Sequence, residues 1–483
     1  MENPKAGIQI SKNSFFSSVI ILFFLMIVAG ILTKIIPAGV YERIIVDGRE
    51  VIDVSTFTFV SDINYPIYRW FTAPIEVLWS PDALTVIVII FFILFIGATF
   101  AILDKSGILK YIMNSIVKRF EHNKYILLAV LTLSFMLFGS VFGIFEELVA
   151  LVPISITLAY SLGWDSLVGL GMSALASGFG FAAATFNPFT IGVAQKLSGL
   201  PPFSGILYRI LIFGIIYFIL TVFLTRYAKK IEKNPELSSV YEDDKLQREK
   251  YKTIENKEEV YSPNLEKAVK VFLGFLIIIV LLIVSGFFIK GISDISLPLV
   301  AILFLIGGLV AGKISKYTEK GLIKDLVQGL TGIAPSVLLI LMAMSVKLII
   351  TNGGSMDTIL YYASSKIANL SPYTAGIFIY LLILFLNFFI GSGSAKAFLI
   401  IPIITPLTDL VGITRQVAVQ AFCFGDGFSN MLYPTNAVLM IALGLTVVSY
   451  PKWFKWTIKL QLMVFFITTG LLFAAISFGY GPF

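Results

Sequence analysis

The sequence predicts an all-α polytopic membrane protein, and three observations carry that prediction. Of its 483 residues, 57% are hydrophobic and 13% charged, with a mean hydropathy of +0.91; water-soluble globules carry about twice that share of charge. Apolar runs long enough for a bilayer recur along the chain, at about 20 residues per crossing helix. Two regions then break these runs with glycines, prolines, amides, hydroxyls and charges. Broken backbone at membrane depth is tolerated only where protein buries it or where it lines a wet cavity.

Ser14–Ile36 reads as the first span. It follows a short basic segment but is too long for a signal peptide and lacks a small-residue cleavage site, so a retained helix is expected. Pro37-Ala38-Gly39 stops it, and acids outnumber arginines over 37–82, which places that segment outside. Ala83–Leu103 returns to a loop holding Lys105, Lys110, Lys118, Arg119 and Lys124, hence cytoplasmic, with Ile108–Val117 as an amphipathic surface helix. Tyr125–Phe142 runs outward into the first broken region, marked by Gly143, Glu146, Glu147, Pro153, Gly163, Gly178 and Asn187-Pro188-Phe189-Thr190. Leu207–Tyr227 runs inward and ends among Arg226, Lys229 and Lys230.

Residues 229–267 are charged with both signs and form a cytoplasmic linker between a first repeat, 1–228, and a second, 268–483. The second half opens with spans Ala268–Ile289 and Leu297–Gly312 and a basic loop from Lys313 to Lys324. Ile333–Ile350 runs outward, the 351–371 loop holds Lys366 as its one cation, and Pro372–Phe389 runs inward to the second broken region. Lys452, Lys455 and Lys459 precede a last apolar segment.

The two broken regions match at a constant offset of 249 residues without gaps: Pro153 with Pro402, Gly163 with Gly412, Gly178 with Gly427, Phe179 with Phe428 and Asn187 with Asn436. The charge bias gives matched spans opposite directions, so the repeats read as inverted across the membrane. Ala268–Ile289 has no counterpart and supplies the odd crossing.

Transporters built from such repeats place their site on discontinuous helices at the repeat interface. Asn187, Pro188 and Thr190 in the first region, and Ser392, Gly393, Ser394, Asp426, Asn430, Thr435 and Asn436 in the second, are therefore expected near a solute or ion. Serines interleaved with Gly391 and Gly393 suit a half-helix N-terminus that offers N–H groups to an anion. Asp426 and Asn430 share a helix face; a carboxylate with amide and carbonyl oxygens suits a hard cation such as Na⁺ near Asn187, Asp426 and Asn436, proton coupling, or a solute ammonium. Glu146, Glu147 and Lys396 form a second rank of candidates. Glu147 and Lys396 are related by the offset, and either pair with each other or divide the work of holding a zwitterion.

Other chemistries lack their residues. The one histidine, His122, sits in a polar loop, and the one cysteine, Cys423, lies in an apolar run, so neither a disulfide framework nor a cysteine-based metal site is available. Gly307 to Lys313 resembles part of a phosphate-binding loop, but Ile314 stands where Ser or Thr is needed. No catalytic residues, enzyme activity or cofactor beyond Na⁺ or H⁺ coupling is expected. The net charge of +7 reflects cytoplasmic loops rather than nucleic-acid binding.

Several motifs resemble the anaerobic C4-dicarboxylate carrier family of the DcuC type, with its YfcC-like branch, within the wider ion transporter superfamily. They are Pro37-Ala38-Gly39, Glu146-Glu147, Asn187-Pro188-Phe189-Thr190, Gly391-Ser392-Gly393-Ser394, Gly412-Ile413-Thr414-Arg415-Gln416, Gly425-Asp426-Gly427-Phe428-Ser429-Asn430 and Pro434-Thr435. The resemblance implies a secondary transporter with inverted repeats, each with a re-entrant hairpin and a broken helix, and an elevator-type moving domain, often in a homodimer. In such relatives glutamine is more usual at the position of Lys396. The expected function is symport or exchange of small carboxylated metabolites, C4-dicarboxylates or amino acids, across the cytoplasmic membrane. The alternatives are an arginine/ornithine-type basic amino-acid antiporter, a channel or a membrane-embedded enzyme.

Overall fold

A computed structural model of the chain describes residues 12–46, 49–53, 55–60, 63, 65–120, 123–201, 203–252, 262–289, 292–315 and 319–481. His122 lies outside them. Nine helices among the described residues are long and apolar enough to cross a membrane.

Helix α1 spans Lys12–Ile35, α2 Tyr68–Glu76, α3 Ala83–Lys105, α4 Ile108–Phe120 and α5 Lys124–Leu137, which continues as a π turn to Phe142. A 3₁₀ segment over Glu147–Leu151 leads into α6, Val152–Ser161. Helices α7, Ser166–Leu170, and α8, Ala176–Ala183, join through a second π turn; α9, Val193–Leu197, follows a break, and α10 covers Ile206–Lys233. Helix α11 spans Tyr241–Lys252, α12 Pro263–Phe288, α13 Ile292–Ile314, α14 Glu319–Ile333, α15 Pro335–Asn352 and α16 Ser355–Ile367. The last five are α17, Pro372–Asn387, α18, Gly393–Val411, α19, Arg415–Gly427, α20, Ala437–Gly444, and α21, Tyr450–Ser477.

Three segments read as loops carry structure. Between α1 and α2 lie two short antiparallel strand pairs, Gly39–Val40 with Thr58–Phe59 and Arg43–Val46 with Arg49–Ile52. Helix α14 precedes α15, and α16 fills most of the 351–371 segment. Both are amphipathic and too short or too polar to announce themselves as spans. The linker is ordered in part: α10 runs on to Lys233 and α11 docks beneath α6.

Each broken region starts with a helical hairpin. Helices α5 and α6 are the arms of the first, with its tip over 143–146; α17 and α18 are the arms of the second, with its tip over 388–392. The arms end by the same chemistry. Gly163 and Gly412 take φ of +83° and +76°, a left-handed conformation that glycine adopts at no steric cost. The bonds Trp164 N–H to Ala159 C=O, 2.8 Å, and Ile413 N–H to Thr408 C=O, 3.0 Å, close the two helix ends. Asp165 and Thr414 then cap the returning helices through the N–H groups of Val168 and Val417, at 2.9 and 3.3 Å.

The hairpins open at opposite ends of the bundle. The first opens where α10 ends, with Lys124 bonded to Glu232 at 2.5 Å and the Tyr227 hydroxyl to Asp165 at 2.7 Å. The second opens where α21 ends, with Tyr373 against Ser477 at 3.0 Å and the Thr414 hydroxyl donating to the Tyr480 C=O at 2.8 Å. That end of α21 lies beside the start of α10, where Tyr208 and Phe478 rings meet at 5.3 Å.

Candidate functional site

The broken helices cross at the centre of the molecule. Phe179 and Phe428, related by the 249 offset, meet edge-to-face at 5.3 Å. A Cβ on Gly427 would stand 2.3 Å from the Ala182 Cα, and one on Gly180 would stand 2.0 Å from the Met136 carbonyl oxygen of α5. Only glycine permits these approaches, so α8 is clamped between the hairpin arm α5 and α19.

Beyond the crossing both helices break, and an asparagine restarts each. Asn187 Oδ1 accepts the Phe189 and Thr190 N–H groups at 2.9 and 3.3 Å. Asn436 Oδ1 accepts the Val438 and Leu439 N–H groups at 3.0 and 3.3 Å. Donors and acceptors correspond position for position at the same offset. Ser392 caps α18 through the Ala395 N–H at 3.4 Å. The three helix starts converge: a Cβ on Gly393 would lie 2.9 Å from Thr190 Cγ2, and one on Gly391 3.7 Å from Asn436 Nδ2. Positive helix ends facing one point favour an anion there.

Beside this point lies a buried ion pair. Lys396 and Asp426 are both fully buried, with Nζ 2.5 Å from Asp426 Oδ1, and Lys396 also donates to Asn387 Oδ1. Asn387 Nδ2 faces the Asp426 carbonyl at 2.9 Å, Ser429 Oγ at 2.7 Å and Asn430 Oδ1 at 2.9 Å. Asn430 Oδ1 in turn accepts from Asn436 Nδ2 at 2.9 Å. One network thus ties the hairpin arm α17, the arm α18 and the break after α19. Asp426 Oδ2, Thr190 Oγ1 and Thr435 Oγ1 are buried without a hydrogen-bond partner among the described residues, and Oδ2 would lie 2.9 Å from a Cβ on Gly393. Buried polar atoms are nearly always bonded, so unmatched acceptors and hydroxyls at a convergence of helix starts make this cluster the candidate place for a ligand. Gly391 and Ser392 at the hairpin tip are exposed and give access.

The sequence profile of the C4-dicarboxylate anaerobic carriers matches residues 15–477. The chain belongs to that family. Escherichia coli (strain K12) has a relative named "Putative basic amino acid antiporter YfcC", 31% identical over 96% of each chain. An uncharacterized protein of Haemophilus influenzae (strain ATCC 51907 / DSM 11121 / KW20 / Rd) is 27% identical over 80% of this chain and 75% of its own. Among solved structures, the Alcanivorax borkumensis YdaH transporter is matched over 97% of this chain and 100% of its own, at 15% identity and a TM-score of 0.41. This carrier is accordingly a multi-pass membrane transporter and not an enzyme.

The carrier brings Thr190, Ser392, Gly393, Asp426, Asn430 and Asn436 into one neighbourhood. Asn187 and Asn436 use their side-chain oxygens as helix caps, so they shape the site instead of presenting free acceptors to it. Pro188 sets the first helical residue after Asn187, and Ser394 lies half-buried in the first turn of α18. Lys396 and Glu147 do not pair. Lys396 bonds Asp426, whereas Glu147 accepts from the Ser296 hydroxyl of α13 at 2.6 Å and lines an apolar cavity of about 460 Å³ against α12. Glu146 is exposed. The residue that sequence reasoning passed over is Asn387, the hub of the network. Its one signal was an amide at the end of an otherwise apolar run. Arg209 was passed over as well; it is fully buried and donates to the carbonyls of Phe203 and Ser204 at 2.9 and 2.7 Å, bracing the segment after α9.

Proposed function

We propose that the chain is a secondary active transporter of small carboxylated metabolites, C4-dicarboxylates or amino acids, in the cytoplasmic membrane. The observation that carries this reading is the convergence of three capped helix starts on the unpartnered oxygen of Asp426. Helix starts would hold the solute carboxylate, and the Asp426–Lys396 pair would balance charge as it enters or leaves. Residues 1–228 and 268–483 act as two inverted repeats joined by the 229–267 linker; the matched caps, the Phe179–Phe428 contact and hairpins opening at opposite ends support this. The hairpins and broken helices move as an elevator-type domain against α1, α3, α12, α13 and α15, within a homodimer. Coupling, where an ion takes part, would act at the Asp426 oxygens, with Na⁺ and H⁺ as the two candidates.

A basic amino-acid antiporter is a second reading, favoured by the name of the E. coli relative and by the open Asp426 oxygen, which suits a second solute ammonium. Thermal stability of the detergent-purified protein against dicarboxylates, amino acids and short fatty acids decides between them. A ligand at a hundredfold excess over Kd stabilises the native state by about 2.7 kcal/mol. A shift with arginine or ornithine alone selects the second reading. A shift with succinate that is lost in Asp426→Ala supports the first, and stability indifferent to every solute class would count against both.

A further inference from the structure

We infer that the Lys396 ammonium is a tethered cation: it holds the place that a free monovalent cation would take in the second half of the site, so this chain works without Na⁺. The inference rests on the transport reading of the same cluster.

The donor set comes first. Lys396 Nζ sits among oxygens, with Asp426 Oδ1 at 2.5 Å and the Asn387 amide oxygen. A carboxylate beside an amide oxygen is a donor set that a hard cation seeks, and here an ammonium already has it. Charge comes second. Lys396 and Asp426 are each fully buried and cancel one another. The offset-related acid, Glu147, is engaged with Ser296. A sodium ion added to a neutral buried pair would stand uncompensated in a low-dielectric interior, which is strongly unfavourable. Placement comes third. Lys396 rides on the hairpin arm α18, one turn beyond the exposed tip, while Asp426 sits on the broken helix α19. The ammonium therefore latches the hairpin to the broken helix, a task that a bound coupling ion would otherwise perform. Asp426 keeps Oδ2 unpartnered, beside Gly393 and Thr190, free for the solute.

The test is melting of the full-length protein in detergent, in NaCl against choline chloride at equal ionic strength. Wild type is expected to melt alike in both salts. Lys396→Gln is expected to gain a saturable, Na⁺-specific stabilisation that Lys396→Gln/Asp426→Asn loses. A saturable Na⁺ shift in wild type that Asp426→Asn abolishes would overturn the inference, as would a folded Lys396→Gln indifferent to Na⁺. Counterflow by wild-type proteoliposomes gives a reading that does not depend on how the variants fold. A rate within about twofold on replacing Na⁺ by choline supports the tethered cation, and a loss of about tenfold or more, equal to 1.4 kcal/mol, refutes it. Absence of counterflow with every solute would speak against transport itself, and the melting comparison would still decide the cation.

Discussion

Replacing Asn387 with leucine removes the hub of the site without opening a cavity, because the two side chains are close in size and shape. The amide oxygen accepts from the Lys396 ammonium, and the amide nitrogen has two protons for three acceptors within 2.7–2.9 Å. One hydrogen bond to a charged group contributes about 1.5–3 kcal/mol and each of two neutral ones about 1 kcal/mol, so the loss is about 4 kcal/mol. Three of the four partners keep another bond: Lys396 keeps Asp426, Ser429 keeps the Gly425 carbonyl and Asn430 keeps Asn436, which holds the figure near that sum. Tyr380→Phe, on the same helix, is the comparison. It removes a single buried contact, to Thr468 at 2.9 Å, and should cost about 1 kcal/mol. Unfolding of both variants in mixed micelles of mild and denaturing detergent reads the difference. If Asn387→Leu costs no more than Tyr380→Phe, the network that positions Asp426 is wrong.

Three further outcomes follow from the geometry. Gly427→Val places a side chain against the Ala182 backbone, 2.3 Å from its Cα; overpacking costs about 1–3 kcal/mol, more when backbone must move, and size-exclusion chromatography should show little monodisperse protein, whereas Gly214→Val, with nothing within 4 Å, should be well behaved. Asn187→Ala and Asn436→Ala each remove a cap that accepts two N–H groups, and each should lower stability by about 0.5–2 kcal/mol; a change confined to one of them would break the equivalence of the two halves. In the linker, burial, and then the neighbouring Asp165 charge, push the Asp244 carboxyl up to about 7, although it accepts from the Ser166 N–H and hydroxyl at 3.0 and 3.1 Å. An acid raised in the folded state favours the fold while protonated, so docking of α11 should weaken as pH rises from the ordinary carboxylate range to about 7; hydrogen-exchange protection factors over 241–248, which remove the intrinsic rise of exchange with pH, should fall across that window in wild type and stay level in Asp244→Asn.

Much of the architecture was legible because a membrane imposes strong rules on a sequence. The long apolar runs gave α1, α3, α5, α10 and α21, and Gly163, Gly412, Asn187 and Asn436 stand at the breaks because left-handed glycines and capping amides have few substitutes there. Helices α14 and α16 were hidden because each is short and polar enough to read as a loop between apolar spans. The pairing of Lys396 with Asp426 was hidden for a different reason. The two lie 30 residues apart on separate helices, and only the folding of the hairpin onto the broken helix brings them together. The constant offset pointed instead to Glu147, since a match between positions in the sequence does not dictate contacts. Asn387 gave only the faint signal of an amide at the end of an apolar run, because a hub is defined by what converges on it.

The most direct test of the central claim is counterflow. Proteoliposomes holding the purified chain are preloaded with unlabelled succinate, arginine or ornithine and diluted into a trace of the labelled solute. The account predicts transient accumulation of label above equilibrium with one of these classes, abolished in Asp426→Ala. Label that only equilibrates downhill would indicate a pore, and no uptake with any of the three would contradict the solute class assigned to the site.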